Sequence, residues 1–249
     1  MPYIKVGKEV MDYGKYCKEI KPKWKEQMAR EWRKESEIYI HIGMHKTATT
    51  FLQKEIFPKL KGIKYYNLVN NKGNRHKLLA IEKAGKILIS DEDLSGSPLI
   101  YGTSYTERYN IADNLHKLFP NAKLIVGIRN KDDWLNSVIR HIATSSPQYT
   151  KDEIRRIFDK NYLDFEYYIS YVRQLWGNKN IYVYRYEDLK ENPHKFIEGI
   201  CNFMDVSVPD FTNRIVNKSI KGWHINIIRF MASSIRKCYI MYTNKMRRK

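Results

Sequence analysis

The sequence has little of what stabilises secreted domains or crosses membranes. Its three cysteines, Cys17, Cys201 and Cys238, lie far apart and fit neither a metal-ligand spacing nor a disulfide framework. We therefore expect reduced thiols in a reducing compartment. The N-terminus has no apolar segment of the kind found in signal peptides, and three cations interrupt the most apolar stretch, residues 225–242. These features predict a cytoplasmic protein without a membrane span.

Acidic residues are absent from the last part of the chain. The formal net charge is +18, and residues 211–249 contain ten basic residues and no acidic ones. Residues 1–36 and residues 37–210 each have a net charge of only +4. More than half of the excess charge therefore lies in the tail, which suggests an anionic partner such as a membrane surface, an acidic glycan or a nucleic acid.

Internal repeats and low-complexity linkers are also absent, and 249 residues fit one α/β domain with appended helices. Strand-like runs alternate with helical patterns, which favours a parallel sheet with helices on its faces. The predicted strands are Ile38–Ile42, Lys86–Ser90, Leu124–Ile128 and Ile181–Tyr184. The predicted helices are Thr50–Leu60, Tyr105–Leu118, Asp132–Ala143, Lys151–Trp176 and His194–Met204. Ligands of such sheets bind at the carboxyl ends of the strands.

The end of the first strand has the composition of an anion site. Gly43 allows close approach of the backbone, Lys46 supplies a point charge, and the threonines that follow supply hydroxyl donors at the start of a helix. Only two residues separate Gly43 from Lys46, whereas the loop of nucleoside triphosphatases needs four residues between its glycines and a Gly before its Lys. The pattern predicts a pocket for a terminal phosphate or sulfate.

The segment GMHKTATTFLQ, residues 43–53, resembles the loop of sulfotransferases that use 3′-phosphoadenosine 5′-phosphosulfate (PAPS). The resemblance implies a P-loop-like three-layer α/β/α fold with a central parallel sheet. It implies that the loop wraps the 5′-phosphosulfate, that Lys46 neutralises the leaving oxygen and that Thr49 and Thr50 bind the 5′-phosphate. The PAPS-binding residues expected here are Gly43, His45, Lys46, Thr47, Ala48, Thr49 and Thr50. Ala48 stands where the family usually has Gly, and we expect it in the first helical turn, where Ala is harmless.

A second anion site is predicted after the third strand. Arg129 ends the strand, and Ser137 lies on the helix that follows, so a forked guanidinium and a hydroxyl can converge on one anion. The same family uses an Arg and a Ser at this spacing for the 3′-phosphate of PAPS. We interpret Trp134 as a helix-packing aromatic. Two phosphate sites on neighbouring strand ends suit a nucleotide with phosphates at both ends.

The catalytic base is assigned by resemblance. The segment SDEDL, residues 90–94, resembles a turn of bacterial and glycan sulfotransferases in which the Glu is the general base, and this selects Glu92. His41, His45 and His141 remain alternatives. His41 alternates with Ile40 and Ile42 and is expected on the opposite face of its strand.

Near the C-terminus, the segment NKSIKGWH resembles the basic loop that closes over the nucleotide in many sulfotransferases. Lys218, Lys221 and Gly222 are the cofactor-binding candidates in it. From Ile225 onwards, apolar residues recur at spacings of three and four, which predicts an amphipathic helix with a basic end. That helix either packs on the domain or lies on an anionic membrane surface.

The resemblance predicts a sulfotransferase that moves a sulfuryl group from PAPS to an acceptor hydroxyl, releases adenosine 3′,5′-bisphosphate (PAP) and requires no metal. The glycan-type turn favours a carbohydrate or glycolipid acceptor. The enzyme is expected in the cytoplasm, either free or peripheral at the inner membrane face. A P-loop-type small-molecule kinase and a basic nucleic-acid-binding protein are the alternatives, although no nucleic-acid motif is recognisable. The expected organisation is a basic helical extension (1–36), the sulfotransferase domain (37–224) and a basic C-terminal helix (225–249).

Overall fold

A computed structural model describes residues 3–6, 9–12, 36–68, 85–96, 108–145 and 164–212, together with residues 152, 155 and 158. The strands are β1 (Tyr3–Val6), β2 (Glu9–Asp12), β3 (Ser36–His41), β4 (Ile63–Asn67), β5 (Gly85–Ser90), β6 (Lys123–Ile128) and β7 (Ile181–Arg185). The helices are α1 (Thr49–Phe51), α2 (Arg108–Leu118), α3 (Lys131–Ser145), α4 (Phe165–Trp176), α5 (Tyr186–Glu191) and α6 (Pro193–Met204). None of the helices in these ranges is both long enough and apolar enough to cross a bilayer.

Five strands form one parallel sheet in the order β4-β5-β3-β6-β7. After β3, the chain forms β4 and β5 on one side of it and then β6 and β7 on the other side. The direction in which strands are added therefore reverses at β3. In open parallel sheets, ligands bind outside the carboxyl ends of the strands at such a reversal. We therefore expect the ligand site at the carboxyl ends of β3, β5 and β6.

Helices cover both faces of the sheet, as the three-layer prediction requires. Ile38, Ile40 and Ile42 face a core shared with α2, α3 and α4. Tyr39 faces a second core shared with α1 and α6. The period-two alternation along β3 thus divides its side chains between two apolar layers.

The predicted strands are confirmed to within two residues at each end. The helix predicted over 50–60 is not regular, because α1 continues as a π-helical segment, Leu52–Ile56, and a 3₁₀ turn, Phe57–Lys59. The long helix predicted up to Trp176 is also wrong as one element. Asp164 accepts a hydrogen bond from the backbone N–H of Tyr167 and begins α4 as its N-terminal cap.

Two features were not predicted. The edge strand β4 has polar residues among its aromatics, which weakens the strand pattern. The N-terminal extension was expected to be helical, but residues 3–6 and 9–12 form an antiparallel pair, β1 with β2. Two residues, Gly7 and Lys8, separate these strands in the sequence, and a Gly at the first linking position favours a hairpin. The predicted C-terminal helix lies outside the described residues.

Candidate active site

Three chain segments meet at the carboxyl edge of the sheet, beside β3. The loop of residues 43–48 follows β3, a 3₁₀ turn, Glu92–Ser95, follows β5, and Arg129 follows β6. The backbone N–H of Met44 donates to the carbonyl of Gly127 at 3.4 Å, and that of Asp91 donates to the carbonyl of His41 at 3.2 Å. These bonds hold the loop between its two neighbouring strands.

Two non-glycine residues of the loop have left-handed backbone. The φ angles of Lys46 and Ala48 are 66° and 70°, and Thr47 lies between them. A change of backbone handedness between neighbouring residues can turn successive N–H groups to one side and make a concave anion site. The expectation that Ala48 lies in the first helical turn is therefore wrong. Ala48 is the N-terminal cap of α1, in a conformation that costs a residue with a Cβ about 1–2 kcal/mol.

Gly43 is required by the packing beneath the loop. A Cβ at this position would lie 2.7 Å from His41 Nε2 and 2.8 Å from the Tyr184 hydroxyl. Both distances are shorter than a normal van der Waals contact. The absent side chain thus makes room for buried groups under the loop, a reason different from the close approach of an anion that the sequence suggested.

The cations of the loop and of β6 lie together. The Arg129 guanidinium donates through Nη1 to the carbonyl of Lys46 at 3.2 Å, and its Cζ lies 4.3 Å from the ring centroid of Tyr186. Its buried Nε has no hydrogen-bond partner among the described residues. Burial lowers the pKa of Lys46, nearby Arg129 lowers it further, and Glu92 opposes both effects. An anion at this point would meet two cations and an available N–H donor.

Glu92 points towards the loop. Its carboxylate accepts a hydrogen bond from the Thr49 hydroxyl, and its Oε1 lies 3.6 Å from His45 Nδ1. Asp93 Oδ1 lies 3.2 Å from the other ring nitrogen of His45. Asp91, by contrast, uses its side chain to cap the turn by accepting from the N–H of Asp93 at 2.9 Å. Glu92 thus contacts both His45 and Thr49.

The three candidate histidines have different surroundings. His41 is fully buried on the α1 side of the sheet, on the opposite face from Ile40, as the alternation predicted. His45 lies in the loop and is 9% exposed. Burial lowers the pKa of His141, with Lys46 and His45 acting in the same direction and Glu92 against it. These electrostatic effects place His141 beside the same group of charges.

The helix α3 brings further residues to the loop. The Trp134 indole is fully buried and donates to the carbonyl of His45 at 2.7 Å. Ser137 and His141 follow it at spacings of three and four, so they share the face of α3 that turns towards the loop. Trp134 packs as predicted, against Phe158 and Phe165, but it also anchors the loop.

Several contributors were missed at the sequence level. Tyr186 supports Arg129, and the Tyr184 hydroxyl lies under Gly43. The motif YRY at the end of β7 is the only sequence signal for both. The predicted residues Lys218, Lys221 and Gly222 lie outside the described ranges. Within those ranges, no group of three or more His, Cys, Asp or Glu side chains could hold a metal ion.

The fold defines a class: P-loop-like α/β proteins, in which a short loop joins a central strand of a parallel sheet to the helix that follows. Within this class, the chain belongs to the sulfotransferase family, whose model matches residues 86–210, half of the chain. This match confirms the family resemblance and the prediction of a sulfotransferase enzyme. It begins at β5, so the first loop is assigned by its own residues and geometry.

Solved structures support the fold. A sulfotransferase from Alicyclobacillus acidocaldarius superposes with a TM-score of 0.50 and 13% identity, covering 71% of this chain and 85% of that one. Mouse sulfotransferase SULT7A1, solved in complex with PAP, gives a TM-score of 0.49 and 16% identity, covering 84% of this chain and 71% of that one. No curated protein matches the sequence. The first superposition confirms the three-layer α/β fold.

Proposed function

We propose that the protein transfers a sulfuryl group from PAPS to an acceptor hydroxyl, on a carbohydrate or a glycolipid. The observation that carries the proposal is the convergence of Lys46, Arg129 and Glu92 at the reversal point of the sheet. Two cations suit a nucleotide that has an anionic group at each end. One carboxylate suits the removal of a proton from an acceptor hydroxyl. A cytoplasmic location and the absence of a metal requirement belong to the same proposal.

The residues present fit a nucleotide with phosphates at both ends. The buried Nε of Arg129, which lacks a partner among the described residues, is a donor that a phosphate oxygen would satisfy. In this assignment Arg129 and Ser137 bind the 3′-phosphate, while the loop from Gly43 to Thr50 binds the 5′ side. The Thr49 hydroxyl donates to Glu92 in this structure, so binding of a phosphate by Thr49 requires that contact to be replaced.

The roles of the catalytic residues follow from their charges. When bound, PAPS supplies a sulfuryl group attached to a phosphate leaving group. The ammonium of Lys46 neutralises negative charge that develops on the bridging oxygen as the bond to sulfur breaks. The carboxylate of Glu92 accepts the proton of the acceptor hydroxyl. His141, beside the same charges, is the alternative base.

The acceptor class and a possible membrane partner are proposed on sequence grounds. The turn SDEDL resembles that of glycan sulfotransferases, which favours a sugar hydroxyl. Lys218, Lys221 and Gly222 are proposed to close over the nucleotide, and the basic tail is proposed to contact an anionic surface.

The nucleotide site can be tested without the acceptor. We expect PAP to bind the wild type in calorimetry without metal, and Arg129→Ala to weaken that binding about 10- to 100-fold, because charge-assisted hydrogen bonds to phosphate are lost. Lys46→Ala should weaken it less. Arg173→Ala, an exposed change on α4, is the matched control and should bind normally.

Two results would contradict the proposal. Binding of ATP–Mg²⁺ but not PAP would favour the kinase alternative. Equal PAP affinity of Arg129→Ala and wild type would remove Arg129 from the site. Once an acceptor is known, Glu92→Gln should keep PAP affinity and lose turnover, and a fully active variant would leave His141 as the base.

A further inference from the structure

A chain of buried polar side chains lies beneath the loop of residues 43–48, which we call the anion loop after its proposed ligand. The Gln53 amide nitrogen lies 3.0 Å from the Ser90 hydroxyl, which lies 2.8 Å from His41 Nδ1. His41 Nε2 lies 3.0 Å from the Tyr184 hydroxyl, and the Thr47 hydroxyl lies beside Tyr184, since a Cβ on Gly127 would come within 2.3 Å of the Tyr184 oxygen and 2.6 Å of the Thr47 oxygen. We call these five residues the buried polar chain; none is more than 8% exposed. Buried polar groups of this kind are costly unless every one of them is satisfied.

The ring at the centre of the buried polar chain is uncharged. Burial lowers the pKa of His41 to about 3, so the ring is neutral near pH 7. A neutral imidazole has one N–H donor and one nitrogen acceptor, so it can hydrogen-bond Ser90 through one ring nitrogen and Tyr184 through the other.

The packing around the buried polar chain leaves space for its side chains. A Cβ on Gly127 would lie 2.3 Å from the Tyr184 hydroxyl and 2.6 Å from the Thr47 hydroxyl. A Cβ on Gly43 would lie 2.7 Å from His41 Nε2. Two glycines, on β6 and in the loop, thus leave the space in which His41, Tyr184 and Thr47 meet.

The loop end of the chain lies where the backbone is least favourable. Thr47 is flanked by the left-handed residues Lys46 and Ala48, neither of which is Gly. Such conformations persist only when the surrounding structure imposes them. The Thr47 hydroxyl donates to the carbonyl of Met44, and the Tyr184 hydroxyl lies beside Thr47 from below, so these two side chains support this part of the loop.

We propose that His41 and Tyr184 are positioning residues that hold the anion loop in its binding conformation before any ligand arrives. They lie beneath the loop and act through Thr47. The effect on nucleotide affinity rests on the proposed function, whereas the effect on the loop itself does not. A pre-organised loop binds its anion more tightly because less ordering is required on binding.

The test uses the full-length protein and two matched tyrosines on one strand. Tyr184→Phe removes only the hydroxyl in the chain. Tyr182→Phe makes the same change two residues earlier on the same face of β7, where the ring stacks on Phe203. Amide hydrogen exchange of residues 43–50, measured without nucleotide, should be about tenfold faster in Tyr184→Phe and unchanged in Tyr182→Phe. The PAP dissociation constant should rise about three- to tenfold in Tyr184→Phe alone.

Substitutions of His41 test its contact with Tyr184. His41→Gln can place an amide group beside Tyr184, whereas His41→Asn reaches only towards Ser90. We expect slower loop exchange in His41→Gln than in His41→Asn, and equal exchange in the two would mean that the contact with Tyr184 does not position the loop.

Each outcome decides a different claim. Wild-type loop exchange in Tyr184→Phe, even with a lower melting temperature, would mean that the hydroxyl stabilises the fold without positioning the loop, and would overturn the inference. Faster loop exchange in a protein whose wild type does not bind PAP would uphold positioning and reject the proposed function.

Discussion

At the scale of single residues, the loop of residues 43–48 contains two non-glycine residues in an unfavourable backbone conformation. Lys46 and Ala48 both have φ angles near +70°, a region that side chains with a Cβ rarely adopt. Ala48 has no polar side chain with which to offset this cost. The position at which related sulfotransferases usually have Gly is therefore one where Gly is physically favoured in this chain too.

Replacing Ala48 by Gly should stabilise the protein. We expect the free energy of unfolding to rise by about 0.5–1 kcal/mol, because relief of left-handed strain exceeds the added flexibility of the unfolded chain. The matched control, Ala112→Gly inside α2, should lower it by about 1 kcal/mol or more. Urea unfolding of the three proteins measures both values, and a loss of stability in Ala48→Gly would contradict the strain argument.

The buried His41 should make stability depend on pH. Its folded-state pKa is about 3 against an ordinary value of 6.5, so below pH 6.5 the unfolded chain binds a proton that the folded protein does not. The free energy of unfolding should fall as the pH decreases from about 6.5 towards 3. Between pH 7 and pH 5 this group accounts for about 2 kcal/mol.

His41→Gln removes that titration. Urea unfolding at pH 5, 6 and 7 should therefore show a shallower decline in the variant than in the wild type. Parallel pH profiles for the two proteins would mean that His41 becomes protonated without unfolding.

At the scale of secondary-structure elements, helix α3 carries one wall of the site. Asn130 precedes it, and its side-chain oxygen accepts from the N–H groups of Asp132 and Asp133 at 3.1 and 3.2 Å. The N–H of Asn130 donates to Glu187 at 3.0 Å, which links this cap to α5. The cap thus sets the start of the helix that carries Ser137 and His141.

Loss of this cap should be measurable. Asn130→Ala should lower the free energy of unfolding by about 1 kcal/mol, because two N–H groups lose their acceptor. Asn136→Ala, at an exposed position on the same helix, should be neutral or slightly stabilising. Denaturant unfolding of both variants gives the comparison, and equal effects would rule out a capping role for Asn130.

The helix after the loop shows how local patterns mislead. Its apolar spacing predicts a regular helix, but residues 49–59 change from α to π to 3₁₀ geometry. The π-helical segment contains Gln53, which reaches Ser90 in the neighbouring strand. Such irregular turns are frequent at functional sites. The spacing of apolar residues indicates which side of a helix is apolar, but it does not distinguish α, π and 3₁₀ turns.

At the scale of the whole molecule, charge is distributed unevenly. Residues 225–249 contain seven basic residues and no acidic ones, so removing them lowers the formal net charge from +18 to +11. The described candidate site is formed by residues 41–187, upstream of this tail. We therefore predict that the proposed domain boundary at residue 224 separates nucleotide binding from attraction to anionic surfaces.

Truncation after residue 224 tests that separation. We expect the shortened protein to keep its PAP affinity and to lose binding to phosphatidylglycerol vesicles, measured by co-sedimentation at low and high salt. Vesicle binding by the full chain should weaken as salt rises. Loss of PAP affinity in the truncated protein would make the tail part of the nucleotide-binding domain.

Patterns among near neighbours in the sequence were sufficient to predict the class of fold and the order of the chemical groups along the chain. Strand alternation, strand–loop–helix order and the residues at the ends of β3, β5 and β6 depend on near neighbours, which a sequence displays directly. The side assigned to His41 was correct for that reason. Edge strand β4 was missed because polar residues interrupt its aromatics and weaken the strand pattern.

Only the tertiary structure decided how those groups meet. Arg129 contacts the carbonyl of Lys46 across 83 positions, and Thr49 contacts Glu92 across 43. The left-handed form of Ala48 and the polar chain under the loop depend on these distant partners. Long-range packing can impose a backbone conformation and a protonation state that local preference opposes, since many distant contacts together outweigh the cost at one residue.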